Sequence, residues 1–168
     1  MKTFYEEICK LKKIERRGWK RCNVKGRIES DAEHTFSMIM LAIDIMHHNK
    51  MDLDELKVLK MISYHELCEI DAGDTTPFDN VTPEEKYRKE YACIKRLSAE
   101  YEMPEMEELW LEYEDSKTPE AKFVKHLDKF DAIMQAKIYS DAQNRPDIYE
   151  DFYTQGRTDA DAFKDLKF

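Results

Sequence analysis

Apolar residues recur every three or four positions along most of the chain, which is the period of an α-helix with one buried face. No segment sustains the two-residue alternation of a half-buried strand, and hairpin dipeptides such as Asn-Gly are absent. The pattern therefore predicts an all-α fold. We expect helices near residues 2–14, 30–48, 52–70, 82–101, 104–115 and 118–142, with a short helical tail near 147–154.

Several of these helices have a recognisable start. Ser30-Asp31-Ala32-Glu33 has the form of a capping box, and Asp52 precedes a stripe of leucines. Thr82-Pro83 and Thr118-Pro119 each place a capping threonine before a proline at the first helical position. Between the helices, segments 15–29 and 71–81 are the main irregular stretches, and loops of this kind often carry binding groups.

Length and charge limit the classes of protein to consider. The 168 residues suit one domain spanning 1–168, and no apolar stretch approaches the roughly 20 residues of a membrane span. A net charge of −9 argues against binding a nucleic-acid polymer, although a local basic pocket could hold a small nucleotide. Four scattered cysteines suit free thiols in a reducing compartment, so we expect a cytoplasmic protein without a membrane partner.

Candidate chemistry is concentrated between His65 and Asp74, where one imidazole and four carboxylates follow an apolar run. Charged groups in an apolar setting need a partner, and a metal ion would supply one. Glu69 lies four residues after His65, so the two share a face of the predicted helix, and Glu66 can reach the same volume. For Asp71, beside a glycine turn, we favour a role in capping backbone amides.

Two further polar residues lie within apolar helical patterns. We expect His34 to point inward with Phe36, Ile39 and Ile43, and Asp128 lies in a helix apolar enough to be central. Two imidazoles and two carboxylates suit Mn, Co, Fe or Zn better than Ca or Mg alone. A single inward histidine is more often a hydrogen-bonded core residue than a ligand, so both interpretations of His34 stay open.

These motifs together resemble a known family. The chain resembles the HD-domain metal-dependent phosphohydrolases, in particular their 5'-deoxynucleotidase branch. The resemblance is carried, in chain order, by Glu33-His34, by His65-Glu66 with Glu69 and Gly73-Asp74, and by Lys125-His126-Leu127-Asp128. The resemblance covers residues from about 8 to 155. One position departs from it, because Glu66 follows His65 where the family has aspartate.

The resemblance implies a helical bundle of five to seven helices that forms a homodimer and hydrolyses deoxyribonucleoside 5'-monophosphates with a divalent ion. It also implies a role for each matching residue. The metal ligands would be His34, His65, Glu66 and Asp128. Glu69 would position or activate water, Asp74 would assist near the substrate, and Arg16 would contact phosphate or sugar. Trp19 would form part of the pocket wall, and Lys125 would lie near the phosphate.

Two alternatives remain open at this point. The same metal site could cleave a deoxynucleoside triphosphate to nucleoside and triphosphate, because the sequence does not reveal the length of the pocket. Because the side chain of Glu66 is longer than that of aspartate, the protein could also be a catalytically weakened member of the family that binds nucleotides.

Overall fold

The computed structural model describes residues 3–76 and 78–167; residues 1, 2, 77 and 168, which the predicted domain includes, lie outside the described residues. Within the described part the chain is helical, with one isolated β-bridge between Glu15 and Ser30, so the all-α prediction is confirmed. Two helices are short, and seven have eight residues or more. The helices are α1 Phe4–Leu11, α2 Arg17–Arg21, α3 Asp31–His48, α4 Glu55–His65, α5 Glu69–Ala72, α6 Pro83–Glu100, α7 Pro104–Asp115, α8 Pro119–Gln143 and α9 Pro146–Phe163.

Most of the predicted helix starts are confirmed. The Ser30 side chain accepts a hydrogen bond from the backbone N–H of Glu33, and Thr82 and Thr118 cap α6 and α8 in the same way. The predicted capping residue of α4 lies two residues before the observed one. Asp54, not Asp52, caps this helix, because its carboxylate accepts from the backbone N–H of Lys57.

Three predicted boundaries were wrong. The segment 52–70 is not one helix: α4 ends at His65, a turn follows, and α5 begins at Glu69. The segment 15–29 contains the short helix α2, and the C-terminal helix runs to Phe163 rather than ending near residue 154. Helix α5 ends at Ala72, and the residue that follows it, Gly73, has a φ of +73°, a conformation that glycine adopts without strain.

The main core lies between α3, α4 and α8. Helix α8 is buried along much of its length, and residues such as Leu127 are fully covered. On α3 the buried positions are Asp31, His34, Met38, Ala42 and Ile45. Phe36 and Ile43, which we expected to point inward with His34, are exposed instead, because the buried face of α3 falls on a different register.

Two further findings concern the whole described chain. All four cysteines are free thiols. Among residues 3–76 and 78–167, no helix combines the length and the apolar character that crossing a bilayer requires.

Candidate active site

Four side chains from three parts of the chain lie close together, and three of them, His65, Glu66 and Asp128, line a cavity of about 340 Å³; the fourth, His34, is fully buried and does not line it. His34 comes from α3, His65 is the last residue of α4 and Glu66 follows it, and Asp128 comes from the middle of α8. One potential ligand atom of each lies within 4.8 Å of the others. The four residues predicted as metal ligands are thus close enough together to bind one ion.

His65 is arranged as a metal ligand would be. Its Nδ1 lies 2.6 Å from the carbonyl oxygen of Ile62, so this nitrogen carries the proton and donates it. The Nε2 atom is buried and has no hydrogen-bond partner among the described residues. It lies 3.3 Å from Oε1 of Glu66, and a lone pair facing a carboxylate at this distance calls for a cation between them.

His34 is held on both sides by carboxylates of α8. Its Nδ1 is 2.7 Å from Oδ2 of Asp131, and its Nε2 is 3.1 Å from Oδ1 of Asp128. Burial and Arg16 alone would lower the pKa of His34, but the hydrogen bonds to these two aspartates outweigh them and raise it to about 9. A carboxylate on the second nitrogen of a histidine is the usual way of orienting a ligand toward a metal.

Asp131 was missed by the sequence analysis. Asp128 was identified as a carboxylate within an apolar helical pattern, and the same observation could have identified Asp131, which lies three residues further on in the same helix. It is 6% exposed.

Cations surround the carboxylates of the cluster. Nη1 of Arg16 lies 2.8 Å from Oε1 of Glu66, and Nζ of Lys129 lies 2.7 Å from Oδ2 of Asp128. Burial would raise the pKa of Glu66, but the positive charge around it, that of Arg16 included, outweighs burial and holds this pKa well below its usual range. The pKa of Asp128 is likewise low, since Lys129 and His34 overcome the effect of burial. Both carboxylates are therefore charged and able to bind a cation.

Glu69 lies in the wall of the same cavity, as predicted, although it belongs to α5 rather than to the helix of His65. It is 4% exposed, and its Oε2 has no hydrogen-bond partner among the described residues. Burial, with added repulsion from Glu66 and Glu90, raises the pKa of Glu69 to about 10. A buried carboxyl group that has one unpartnered oxygen and a shifted pKa, and that lines a cavity, is a candidate for proton transfer.

The remaining predicted residues occupy different positions around the cluster. Asp74 lines the cavity and accepts a hydrogen bond from the backbone N–H of Arg17. Lys125 also lines it, with its Nζ 2.9 Å from Oε1 of Glu114. Trp19 lines an adjoining cavity of about 300 Å³ rather than this one.

Asp31 is a second buried carboxylate that the sequence analysis interpreted only as part of a helix start. It is fully buried, and neither carboxylate oxygen has a hydrogen-bond partner among the described residues. Burial, together with repulsion from Glu66, raises the pKa of Asp31 to about 8. Near neutral pH this carboxyl group is therefore mostly protonated and adds little negative charge to the cluster.

The donor set fits a divalent transition metal. Two imidazole nitrogens and two carboxylates form a mixed nitrogen and oxygen site, and the unpartnered Nε2 of His65 is directed into it. The fold and the site together define an all-α protein with a histidine and carboxylate cluster of the kind that binds a catalytic metal.

Comparison with known proteins identifies the family. The model of the HD domain family matches residues 8–167. The 5'-deoxynucleotidase HDDC2 of Mus musculus is 35% identical over 153 residues, which cover 89% of this chain and 75% of that protein. The 5'-deoxynucleotidase HDDC2 of Dictyostelium discoideum is 38% identical over 145 residues, covering 81% and 75% of the two chains. The chain belongs to the HD domain family and, within it, to the branch of these 5'-deoxynucleotidases.

A solved structure agrees with this assignment. A predicted metal-dependent phosphohydrolase from Magnetospirillum magnetotacticum superimposes with a TM-score of 0.67 at 26% identity, covering 95% of this chain and 88% of that one. The resemblance on which the sequence analysis relied is therefore confirmed.

Proposed function

We propose that this protein hydrolyses deoxyribonucleoside 5'-monophosphates to a nucleoside and inorganic phosphate, using a divalent Mn, Co, Fe or Zn ion. The observation that carries the proposal is the buried, unpartnered Nε2 of His65, which lies beside two carboxylates in a cavity that also contains Glu69. The names of the relatives support the choice of substrate.

In this proposal His34, His65, Glu66 and Asp128 hold the ion. A bound divalent ion would neutralise phosphate oxygens and lower the pKa of a water molecule toward neutrality. The distances of Glu66 support its role as a ligand despite its extra methylene. Its Oε1 lies 3.6 Å from Nε2 of His34 and 3.3 Å from Nε2 of His65, so the longer side chain reaches the cluster.

The other residues of the cavity handle the proton and the substrate. The charge of a bound ion would lower the pKa of Glu69, so that its carboxylate could accept a proton from the attacking water and pass this proton to the 5'-oxygen as the bond from phosphorus to that oxygen breaks. The planar guanidinium of Arg16 suits the oxygens of a phosphate, and Lys125 adds positive charge at the cavity wall. Asp74 assists near the sugar, and Trp19 lines the adjoining part of the pocket.

The two alternative functions have less support. The reach of Glu66 into the cluster removes the reason for proposing a catalytically weakened protein. Relatives named as 5'-deoxynucleotidases favour a monophosphate over a triphosphate substrate.

We also propose that the protein is a cytoplasmic homodimer. The resemblance implies a dimer, and an exposed apolar stripe on α3 supports it. Phe36, Met40 and Ile43 are spaced along one face of this helix and are 65%, 50% and 37% exposed. The four free thiols support a reducing compartment.

Two alanine variants test the division of roles. We expect His65→Ala to lose both bound metal and turnover, and Glu69→Ala to keep the metal but lose turnover by about 100-fold or more. Metal content and phosphate release are measured on the same samples, with the exposed His47→Ala as a control. Near-normal turnover by Glu69→Ala would refute the role of Glu69, and metal-loaded wild-type protein that binds nucleotide without turnover would support the binding alternative.

A further inference from the structure

We propose that the second cavity, beside Trp19, is the nucleobase pocket, and that Phe152 and Gln155 of α9 determine how the base is bound. This inference rests on the proposed function, because it assigns the part of the substrate that the metal cavity does not hold. Neither residue was singled out by the sequence analysis, which ended the C-terminal helix near residue 154.

The two cavities are adjacent. Four residues line both of them, so a ligand that extends past these residues would reach from one cavity into the other; these are Arg16, Asp74, Thr75 and Lys129. The second cavity measures about 300 Å³. Its remaining wall is largely apolar, with Trp19, Ala132 and Phe152 among its residues.

This division matches the two ends of a nucleotide. The phosphate is an anion and suits the cavity that contains the proposed metal ligands and Arg16. The base is flat and apolar on its faces and polar at its edge, so it suits an aromatic wall with a few polar groups. The shared residues Arg16 and Asp74 then lie between the two ends, where the sugar would pass.

Two glycines allow the aromatic wall to form. A Cβ atom on Gly18 would lie 3.1 Å from Cζ of Phe152, so a larger residue there would crowd the ring. Gly156 interrupts the helical geometry of α9, with φ −107° and ψ 20°, and a Cβ on it would lie 2.9 Å from Cδ1 of Ile133. This close approach of α9 to α8 holds the first half of α9 against the cavity.

The ring of Phe152 is held in place by the buried ring of Trp19. Its ring stacks on the buried ring of Trp19, with centroids 4.3 Å apart and planes inclined by 24°. Nε1 of Trp19 donates a hydrogen bond to Oε2 of Glu29, which fixes the indole. Phe152 is partly exposed, whereas Trp19 is 1% exposed, so Phe152 is the ring that a base can contact.

Gln155 supplies a polar group at the same wall. Its amide nitrogen donates to the backbone carbonyl oxygen and to Oδ2 of Asp151, at 3.1 and 2.9 Å. The described residues provide no hydrogen bond for its Oε1, which leaves an acceptor for the substrate. An acceptor favours bases with an exocyclic amino group, so cytosine and adenine should bind better than thymine and uracil.

The metal cavity also has aromatic residues in its wall, against which the base could bind instead. Tyr87 and Trp110 line it, with ring centroids 5.6 Å apart. Trp110 is buried, and Tyr87 is 42% exposed, so Tyr87 is the ring there that a base could reach. Tyr87→Leu is therefore the matched control for Phe152→Leu.

The experiment measures kcat and KM for dCMP, dAMP, dTMP and dUMP with the metal-loaded enzyme. We expect Phe152→Leu to raise KM about 10-fold for all four and to change kcat less than threefold, because stacking is lost while the metal cavity is intact. Gln155→Leu should bring the four kcat/KM values to within about twofold of one another, and Tyr87→Leu should leave every KM unchanged. A raised KM in Tyr87→Leu together with an unchanged KM in Phe152→Leu would overturn the proposal.

Equilibrium dialysis of the same nucleotides with metal-free protein separates this inference from the proposed function. If the wild-type protein hydrolyses none of the nucleotides, the proposed function fails. Binding that is weakened about 10-fold by Phe152→Leu but not by Tyr87→Leu would still support the base pocket. Equal binding by the wild type and Phe152→Leu would overturn it.

Discussion

Oδ2 of Asp131 lies 2.7 Å from Nδ1 of His34, which fixes the orientation of an imidazole that is fully buried between α3 and α8. The other nitrogen of His34 is thereby directed toward Asp128, Glu66 and the cavity. The arrangement makes Asp131 a positioning residue of the proposed metal site, although it does not line the metal cavity.

Replacing Asp131 with asparagine should weaken metal binding. The amide keeps the shape of the side chain but removes the charge that supports His34, and loss of such a partner typically costs 10- to 100-fold in metal affinity. Competition with a chelator measures the dissociation constant. Asp141→Asn, at an exposed position of the same helix, is the control. Unchanged affinity in Asp131→Asn would show that His34 does not need this carboxylate.

The sequence analysis identified the residues of the metal cluster, but it did not identify the side chains that contact them. His34, His65 and Asp128 could be identified because polar residues stand out within apolar helical patterns. The partners of these residues depend on helix packing, which periodicity does not encode; Asp131 faces His34 only because α3 and α8 cross there. The inward face of α3 was misassigned for the same reason, since Phe36 and Ile43 continue an apolar pattern that the fold leaves exposed.

Changing the length of Glu66 tests whether the site is built around the longer carboxylate. Glu66→Asp retains the charge but withdraws it from His34 and Arg16, so we expect metal affinity to fall by about 10-fold. Glu66→Gln retains the length and loses the charge, so it should cost more. Both are measured by chelator competition and by turnover. Higher affinity and turnover in Glu66→Asp would show that the site prefers the aspartate that the family has at this position.

Asp31 should make folding stability depend on pH. Its pKa is about 8 in the folded protein and 3.8 as an ordinary aspartate, so folding becomes less favourable as pH rises from 3.8 to 8. Below this window the carboxyl group is protonated in both states, and above it the full cost of burying the charge applies. Asp31→Asn removes this cost.

The metal-free Asp31→Asn protein should therefore gain about 1–3 kcal/mol over wild type at pH 9 and markedly less at pH 5. Urea unfolding at the two pH values measures the difference. An equal gain at both pH values would show that the Asp31 carboxyl group does not titrate between them.

The exposed stripe of α3 should form the dimer interface. A glutamate at Met40 would place a charge in the centre of the stripe, which also contains Phe36 and Ile43. Light scattering after size-exclusion chromatography should show a dimer for the wild type and a monomer for Met40→Glu. Lys89→Glu, at an exposed position on α6, is the control. A monomeric wild type would contradict the proposed dimer, and a dimeric Met40→Glu would place the interface on another face.

The central claim is that the protein hydrolyses deoxyribonucleoside monophosphates at the site formed by His34, His65, Glu66 and Asp128. The most direct test strips the protein of metal, restores Mn, Co, Fe or Zn separately, and identifies the products formed from deoxyribonucleoside mono- and triphosphates by chromatography. We expect nucleoside and inorganic phosphate from the monophosphates with at least one metal, and no turnover by His65→Ala. Triphosphate released from a deoxynucleoside triphosphate, with the monophosphates left intact, would contradict the account.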